Sequence, residues 1–386
     1  MKMSIGRVSA LAAAPVLLLA AAVAVMTAGS ASASGSPPPP AGFEADSASF
    51  VSAQAGYVLG ARGCSLLPCK ALLETTANGG STWAKVPAPN AQLVPPFTTS
   101  PATAVSTVRF ANKNDGWLFN PGLWQTTDGG KKWQKISLSG DVAALAVSGG
   151  EAYVSIQKPD GGFTTAKLYK AAVGSATWTQ VRGVAPQNDL TAFGKSAWAG
   201  VAPDLWTTAN SGKTWTKLTF KCPRSVLSPS EVAASSPSDI AIACSDQGYP
   251  QPGLSIKEVF TSTNGGKTFH EQGVPSEAGQ VHQLAMVPGN PKVLKLEEAS
   301  GATFLDRSVN GGKTWTQAEY EDSGTGLRDL AYASATTGYT VHVSGSPALA
   351  YGLRLLKTNQ RGQDLAHRQD PLTGRPAPGS TSPPSR

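Results

Sequence analysis

The sequence predicts an all-β chain, folded as a seven-bladed β-propeller of four-stranded antiparallel blades. Three observations carry that expectation. The 386 residues are rich in Gly (41) and Pro (29) and only 15% are charged, a composition suited to many short strands joined by turns. An eight-residue pattern recurs along most of the chain at the period of one propeller blade. A strand–turn–strand element, whose second strand opens with Gly and an aromatic residue, precedes several copies of that pattern. Length alone leaves the domain count open, since a propeller uses this many residues as one unit. Composition excludes a helical bundle, a coiled coil and a disordered acidic protein.

The first element is an export signal. Lys2 and Arg7 precede an apolar run from Leu11 to Val25, which ends at Ala31-Ser32-Ala33, a small-residue site for cleavage before Ser34. Residues 1–33 are therefore expected to be a signal peptide and the mature protein to be secreted; the competing reading is an uncleaved anchor, because the apolar run is nearly long enough to span a bilayer. No cysteine flanks the site to take a lipid, and no later segment is apolar enough to cross a membrane. Residues 34–42, with four prolines from Pro37 to Pro40, read as an extended linker.

The formal charge of +7 lies largely outside the expected fold. Lys2 and Arg7 belong to the signal, and residues 359–386 hold four Arg against two Asp. Residues 34–358 carry 26 basic and 23 acidic side chains, too even a balance for a nucleic-acid partner. The four cysteines suit an oxidising compartment and are expected to pair as Cys64–Cys69 and Cys222–Cys244. Neither pair has the spacing of a zinc site, and no metal or other cofactor is expected.

The recurring pattern fixes the blades. Thr76-x-Asn78-x-Gly80-x-x-Trp83 returns as Thr126-x-Asp128-x-Gly130-x-x-Trp133 and Thr208-x-Asn210-x-Gly212-x-x-Trp215. Two further copies are Ser262-x-Asn264-x-Gly266-x-x-Phe269 and Ser308-x-Asn310-x-Gly312-x-x-Trp315. A degenerate copy from Ala171 to Trp178 keeps only its ending. The aromatic positions are separated by 50, 45, 37, 54 and 46 residues, the spacing of a four-stranded blade. Asn or Asp can fold its side-chain oxygen onto the N–H groups of the turn, and Gly tolerates positive φ. The aromatic residue then opens the next strand and packs between blades.

The second element reads Phe50 to Gly56-Tyr57, Phe110 to Gly116-Trp117 and Tyr332 to Gly338-Tyr339. Together the two elements place blades at 43–88, 104–138, 141–183, 187–220, 229–273, 279–319 and from 326 onward, one domain over 43–358.

The eight-residue pattern resembles the Asp-box, or BNR repeat, of sialidases, sortilin-type receptors, xyloglucan-cleaving glycosidases and the photosystem II assembly factor. The resemblance covers nearly all of 43–358. It implies a propeller whose boxes lie between the third and fourth strands of each blade, at the periphery and away from the ligand face. The boxes are then structural and not catalytic. A seventh box is due near Thr358 and Gly362, where Leu365 replaces the aromatic residue. Residues 359–386 are either a degenerate tail or the product of a shifted reading frame that would otherwise complete blade seven.

Two functional classes follow from the resemblance. The sialidase-like pattern implies an Arg-Ile-Pro element, three arginines that hold a carboxylate, a Tyr/Glu pair and an acidic residue. This chain has no Arg-Ile-Pro, and no motif gathers Arg62, Arg109, Arg182, Arg224, Arg307, Arg328 and Arg354. Asp189, Asp204, Asp246 and Asp329 are candidate carboxylates for glycoside hydrolysis, which needs two facing one bond. The favoured expectation is a non-catalytic, monomeric propeller that binds a protein or a glycan; the alternative is a sialidase-like exo-glycoside hydrolase. Candidate ligand residues are Arg109 on an inner strand, Tyr249 in the loop after Cys244, and Arg328 with Asp329 at the start of blade seven. For the last two the competing reading is an exposed pair beside a turn.

Overall fold

The computed structural model describes residues 42–354 apart from 64–68, 95–100, 161–162, 187–188, 202–203, 219, 224–227, 247–254, 277–278, 301, 322–323 and 345–350. The expected signal peptide, nearly all of the linker, and the 359–386 tail lie outside the described residues, as do Cys64 and Tyr249.

The described residues contain strands and turns and no helix. They form six four-stranded antiparallel sheets spanning 43–86, 107–135, 141–181, 189–218, 228–271 and 280–321, and a three-stranded sheet spanning 324–354. Each is a simple up-and-down meander, because every connection within a sheet is a hairpin. A two-stranded ribbon pairs Cys69–Lys70 with Gln92–Leu93 beside the first sheet. The first strand of each sheet touches the first strand of the next, and Gly324–Ser334 of the last returns to Phe43–Phe50 of the first, so these strands close an inner ring.

Apolar clusters lie between successive sheets, and the aromatic residue of each recurring turn supplies a large part of them. Trp133 of the second sheet packs with Leu73 of the first, Trp315 of the sixth with Val259 of the fifth, and Trp178 of the degenerate copy with Phe119 and Leu123 of the second sheet. An aromatic side chain buries a broad apolar face at little conformational cost, so one residue per sheet cements each junction.

The turns are closed by side-chain hydrogen bonds. Thr126 Oγ1 accepts the buried Gly130 N–H at 2.9 Å and donates to Asp128 Oδ1, which in turn accepts the Lys132 N–H at 2.9 Å. The same set recurs around Thr76 and Asn78, Thr208 and Asn210, Ser262 and Asn264, and Ser308 and Asn310. The hydroxyl at the first position therefore matters as much as the amide or carboxylate at the third. Gly130 is held twice over: its φ is +89°, and a Cβ there would sit 2.7 Å from Val86 Cγ1 of the preceding sheet.

The Gly-aromatic element has a different cause. The Phe50 ring lies over Gly56 and the Phe110 ring over Gly116, where a Cβ would collide. The Cys222–Cys244 disulfide is present and ties the chain leaving the fourth sheet to the second strand of the fifth, Ile240–Ser245.

Candidate functional site

The inner ring holds a series of polar side chains that bridge one sheet to the next. Strand registers put Ser47, Thr107, Ala144, Asp189, Glu231, Gln283 and Asp329 at equivalent positions. An innermost strand is a sheet edge, so some of its N–H groups have no ladder partner. The preceding sheet supplies the acceptor. Ser47 Oγ accepts the Val108 N–H at 2.9 Å, Asp189 accepts that of Val232, and Glu231 that of Leu284. Gln283 Oε1 accepts the Leu330 N–H. Asp329 Oδ2 accepts the Ala48 N–H at 2.9 Å and so joins the last sheet to the first, across 281 residues of sequence.

Register shifts interrupt the inner strands at Asp46, Ser230, His282 and the Asp329–Leu330 step. A bulge re-aims the side chain it frees. Asp46 is thereby turned to Arg328, whose Nη1 lies 2.6 Å from Asp46 Oδ1. Arg109 Nη2 reaches Asp329 Oδ1 at 2.6 Å, and its Nη1 donates to Val108 O at 2.8 Å. Asp329 sits at φ +52°, a left-handed conformation that Asp tolerates better than most residues.

Three of the residues singled out from the sequence, Arg109, Arg328 and Asp329, thus come together at the junction of the last, first and second sheets. The expectation of an exposed Arg328–Asp329 pair fails: Asp329 is 9% exposed, and the two side chains serve different partners. Tyr249 lies outside the described residues. The sequence reading missed Asp46, Glu231, Gln283 and Glu297. A signal was there, a polar residue directly before an aliphatic one on six of the seven inner strands, as in Ser47-Ala48, Asp189-Leu190 and Gln283-Leu284.

Burial dominates the electrostatics. It pushes Asp46 up to about 7, against the pull of Arg328 and with repulsion from Asp329. Burial likewise lifts Asp189 to about 7 and Glu231 well above the carboxylate range, Asp189 and Glu297 adding repulsion to the latter. Glu297, which accepts the Leu327 N–H at 3.0 Å, is pushed to about 8 by burial. Beside it, His282 Nδ1 lies 3.8 Å from Glu297 Oε2; burial and Arg328 lower its pKa. Burial disfavours the Arg109 charge, but Asp329 and Tyr339 more than offset this and raise its pKa.

A second polar cluster is packed between the fifth and sixth sheets. Lys257 Nζ and Glu298 Oε1 are 3.4 Å apart and fully buried. Lys257 also donates to Gly279 O at 2.9 Å, and Ser276 bonds Glu298 Oε2 and Asp306 Oδ2. These contacts anchor the chain that links the two sheets. Of the candidate carboxylates, Asp246 accepts from Ser255 Oγ at 2.9 Å, and Asp189 stands beside Glu231; the Asp204 side chain lies outside the described ones. Among the described residues, no group of three or more His, Cys, Asp or Glu is placed to hold a metal, and no helix is long and apolar enough to cross a membrane.

No protein-family model matches the chain, and no curated protein matches it. Solved structures do. YCF48 from Cyanidioschyzon merolae is 16% identical with a TM-score of 0.53, over 83% of this chain and 98% of that one. YCF48 bound to a D1 peptide is 18% identical with a TM-score of 0.53, over 83% and 95%. An oligogalacturonate lyase from Vibrio parahaemolyticus is 10% identical with a TM-score of 0.51, over 79% and 87%. At such identities the likeness is one of fold: the chain is a β-propeller.

Proposed function

We propose that the chain is a secreted, seven-bladed Asp-box propeller of the BNR type, without catalytic activity, which binds a segment of a partner protein at the mouth of its inner ring. The observation that carries this reading is the commitment of the ring's guanidinium groups to the fold. Arg109 is spent on Asp329 and Arg328 on Asp46, and Arg62, on the first sheet, is 2.6 Å from Glu74. Arginines that bind a substrate carboxylate must offer free N–H groups to it; these offer theirs to the protein. The partly exposed rim, with His282, provides a donor for a bound peptide. YCF48, similar in fold and in extent, has been solved with a peptide bound, which supports a protein as the partner.

One observation favours the hydrolase reading. Asp189 and Glu231 are neighbouring carboxylates with raised pKa values, the arrangement that general acid/base chemistry uses. A fluorogenic panel of a sialoside and common β-glycosides separates the two. The expected result is no turnover by the purified protein, together with saturable binding of peptides selected from a displayed library and loss of that binding in His282→Ala. Turnover abolished by Glu231→Gln would overturn the binding reading.

A further inference from the structure

At the outer edge, the junction of the third and fourth sheets lacks a bond that two other junctions make. Where the second sheet meets the first, Trp133 Nε1 donates to Pro87 O at 2.9 Å. Where the sixth meets the fifth, Trp315 Nε1 donates to Gly273 O at 3.0 Å, and the Gly273 N–H bonds Gly312 O at 2.8 Å. Trp215, the equivalent residue of the fourth sheet, has a buried Nε1 with no hydrogen-bond partner, as have Trp83 and Trp178. Arg182 and Gly212, which stand where Gly273 and Gly312 do, instead line a cleft of about 310 Å³. The cleft adjoins the sheet whose turn motif is the degenerate one, ending at Trp178.

The lining of this cleft has a definite chemistry. Trp206 and Trp215 present indole rings, and Lys170, Arg182 and Lys213 present three cations with no Asp or Glu among the lining residues. Lys170 Nζ is fixed by a bond to Ser211 O at 3.1 Å. Like charges collected on one concave surface focus a positive potential within it. The volume lies at the lower end of ligand clefts, roughly 300–1,000 Å³, which suits a small ring-shaped ligand and not a long peptide.

We infer that this cleft binds a carboxylated pyranose at the end of an acidic saccharide. The apolar C–H face of a sugar ring stacks on indole, and a planar guanidinium such as Arg182 takes a carboxylate with two parallel N–H bonds. Lys170 and Lys213 complete the neutralisation. The site lies on outer strands and turns, apart from the inner ring, and so does not depend on the protein-binding reading.

The test uses the full secreted chain. Glucuronate- and N-acetylneuraminate-terminated disaccharides are titrated by calorimetry and by tryptophan fluorescence, beside their methyl esters, neutral disaccharides and AMP. The expected result is saturable binding of the acids, weakened about tenfold or more in the esters. Arg182 is exposed, so Arg182→Gln is expected to lose binding about tenfold while keeping the unfolding midpoint; Lys213→Gln, also at an exposed residue, gives an independent reading. Trp206→Phe retains a smaller ring and weakens the acids less than Arg182→Gln. No saturation by either acid, equal binding of acid and ester, AMP binding in preference to the sugars, or an undiminished affinity in Arg182→Gln would each overturn the assignment.

Discussion

Replacing Asp329 by alanine tests whether the ring is clasped where its last sheet meets its first. The substitution removes two acceptors at once. The Ala48 N–H, on a residue with no exposed surface, is left unsatisfied, at a cost of about 1–3 kcal/mol. Arg109 loses its carboxylate. Breaking a fully buried pair costs about 3–5 kcal/mol, but the Arg109 side chain is 31% exposed, and solvent screening reduces this to about 1–2 kcal/mol. Alanine at φ +52° adds about 1 kcal/mol that aspartate largely avoids. The sum is about 4 kcal/mol, which at a urea slope of about 3 kcal/mol/M moves the midpoint by more than 1 M. Asp329→Asn keeps an acceptor for Ala48 and tolerates the backbone conformation, so it should cost only the charge, about 1–2 kcal/mol. Urea unfolding followed by tryptophan fluorescence measures both. A cost below about 1 kcal/mol for the alanine variant, or equal costs for the two, would refute the clasp.

Other outcomes follow from the same geometry. Glu297, neutral in the fold up to about pH 8 and ionised above the usual 4.3 when unfolded, makes the folded state the better proton binder between those values. Stability should therefore fall as pH rises from about 4.5 to 8, and thermal melts of Glu297→Gln, which keeps an acceptor for Leu327, should lose less over that range than the parent chain. Thr126→Val should cost about 1–2 kcal/mol in chemical denaturation, because the buried Gly130 N–H loses its acceptor. Gly130→Ala should be worse than Thr126→Val, since it meets both the +89° φ and Val86; a neutral effect would show that the junction relaxes. Replacing Cys222 and Cys244 together by serine should cost about 3 kcal/mol, read as a lower denaturation midpoint.

The architecture was legible because it is written in short-range chemistry. Each turn needs a hydroxyl, an amide or carboxylate, a glycine and an aromatic residue within eight positions, and those types stand together in the chain at Thr76 to Trp83 and four more times. The inner ring was hidden because its partners are distant. Nothing near Asp46 announces Arg328, and nothing near Ala48 announces Asp329, since the pairing exists only after the sheets have come round. Bulges hid the rest: one extra residue in a strand reverses which side chains face inward, and alternation read from the sequence does not show where that residue falls. The outer cleft and its charge were not legible, because Lys170, Arg182 and Lys213 come from two different sheets.

The bond between Ala48 and Asp329 also sets a timetable for the molecule's birth. Contacts so remote in sequence form late, because closing a loop of this length costs about 5 kcal/mol of chain entropy before anything is returned. Until the last sheet docks on the first, the first exposes an inner edge with an unanswered Ala48 N–H, and any second copy whose ring is likewise open carries the complementary Asp329. Ring completion within one chain and head-to-tail joining between two chains are then rival uses of a single clasp. Refolding yield should fall as protein concentration rises, and the species that accumulates should be linked copies rather than collapsed aggregates.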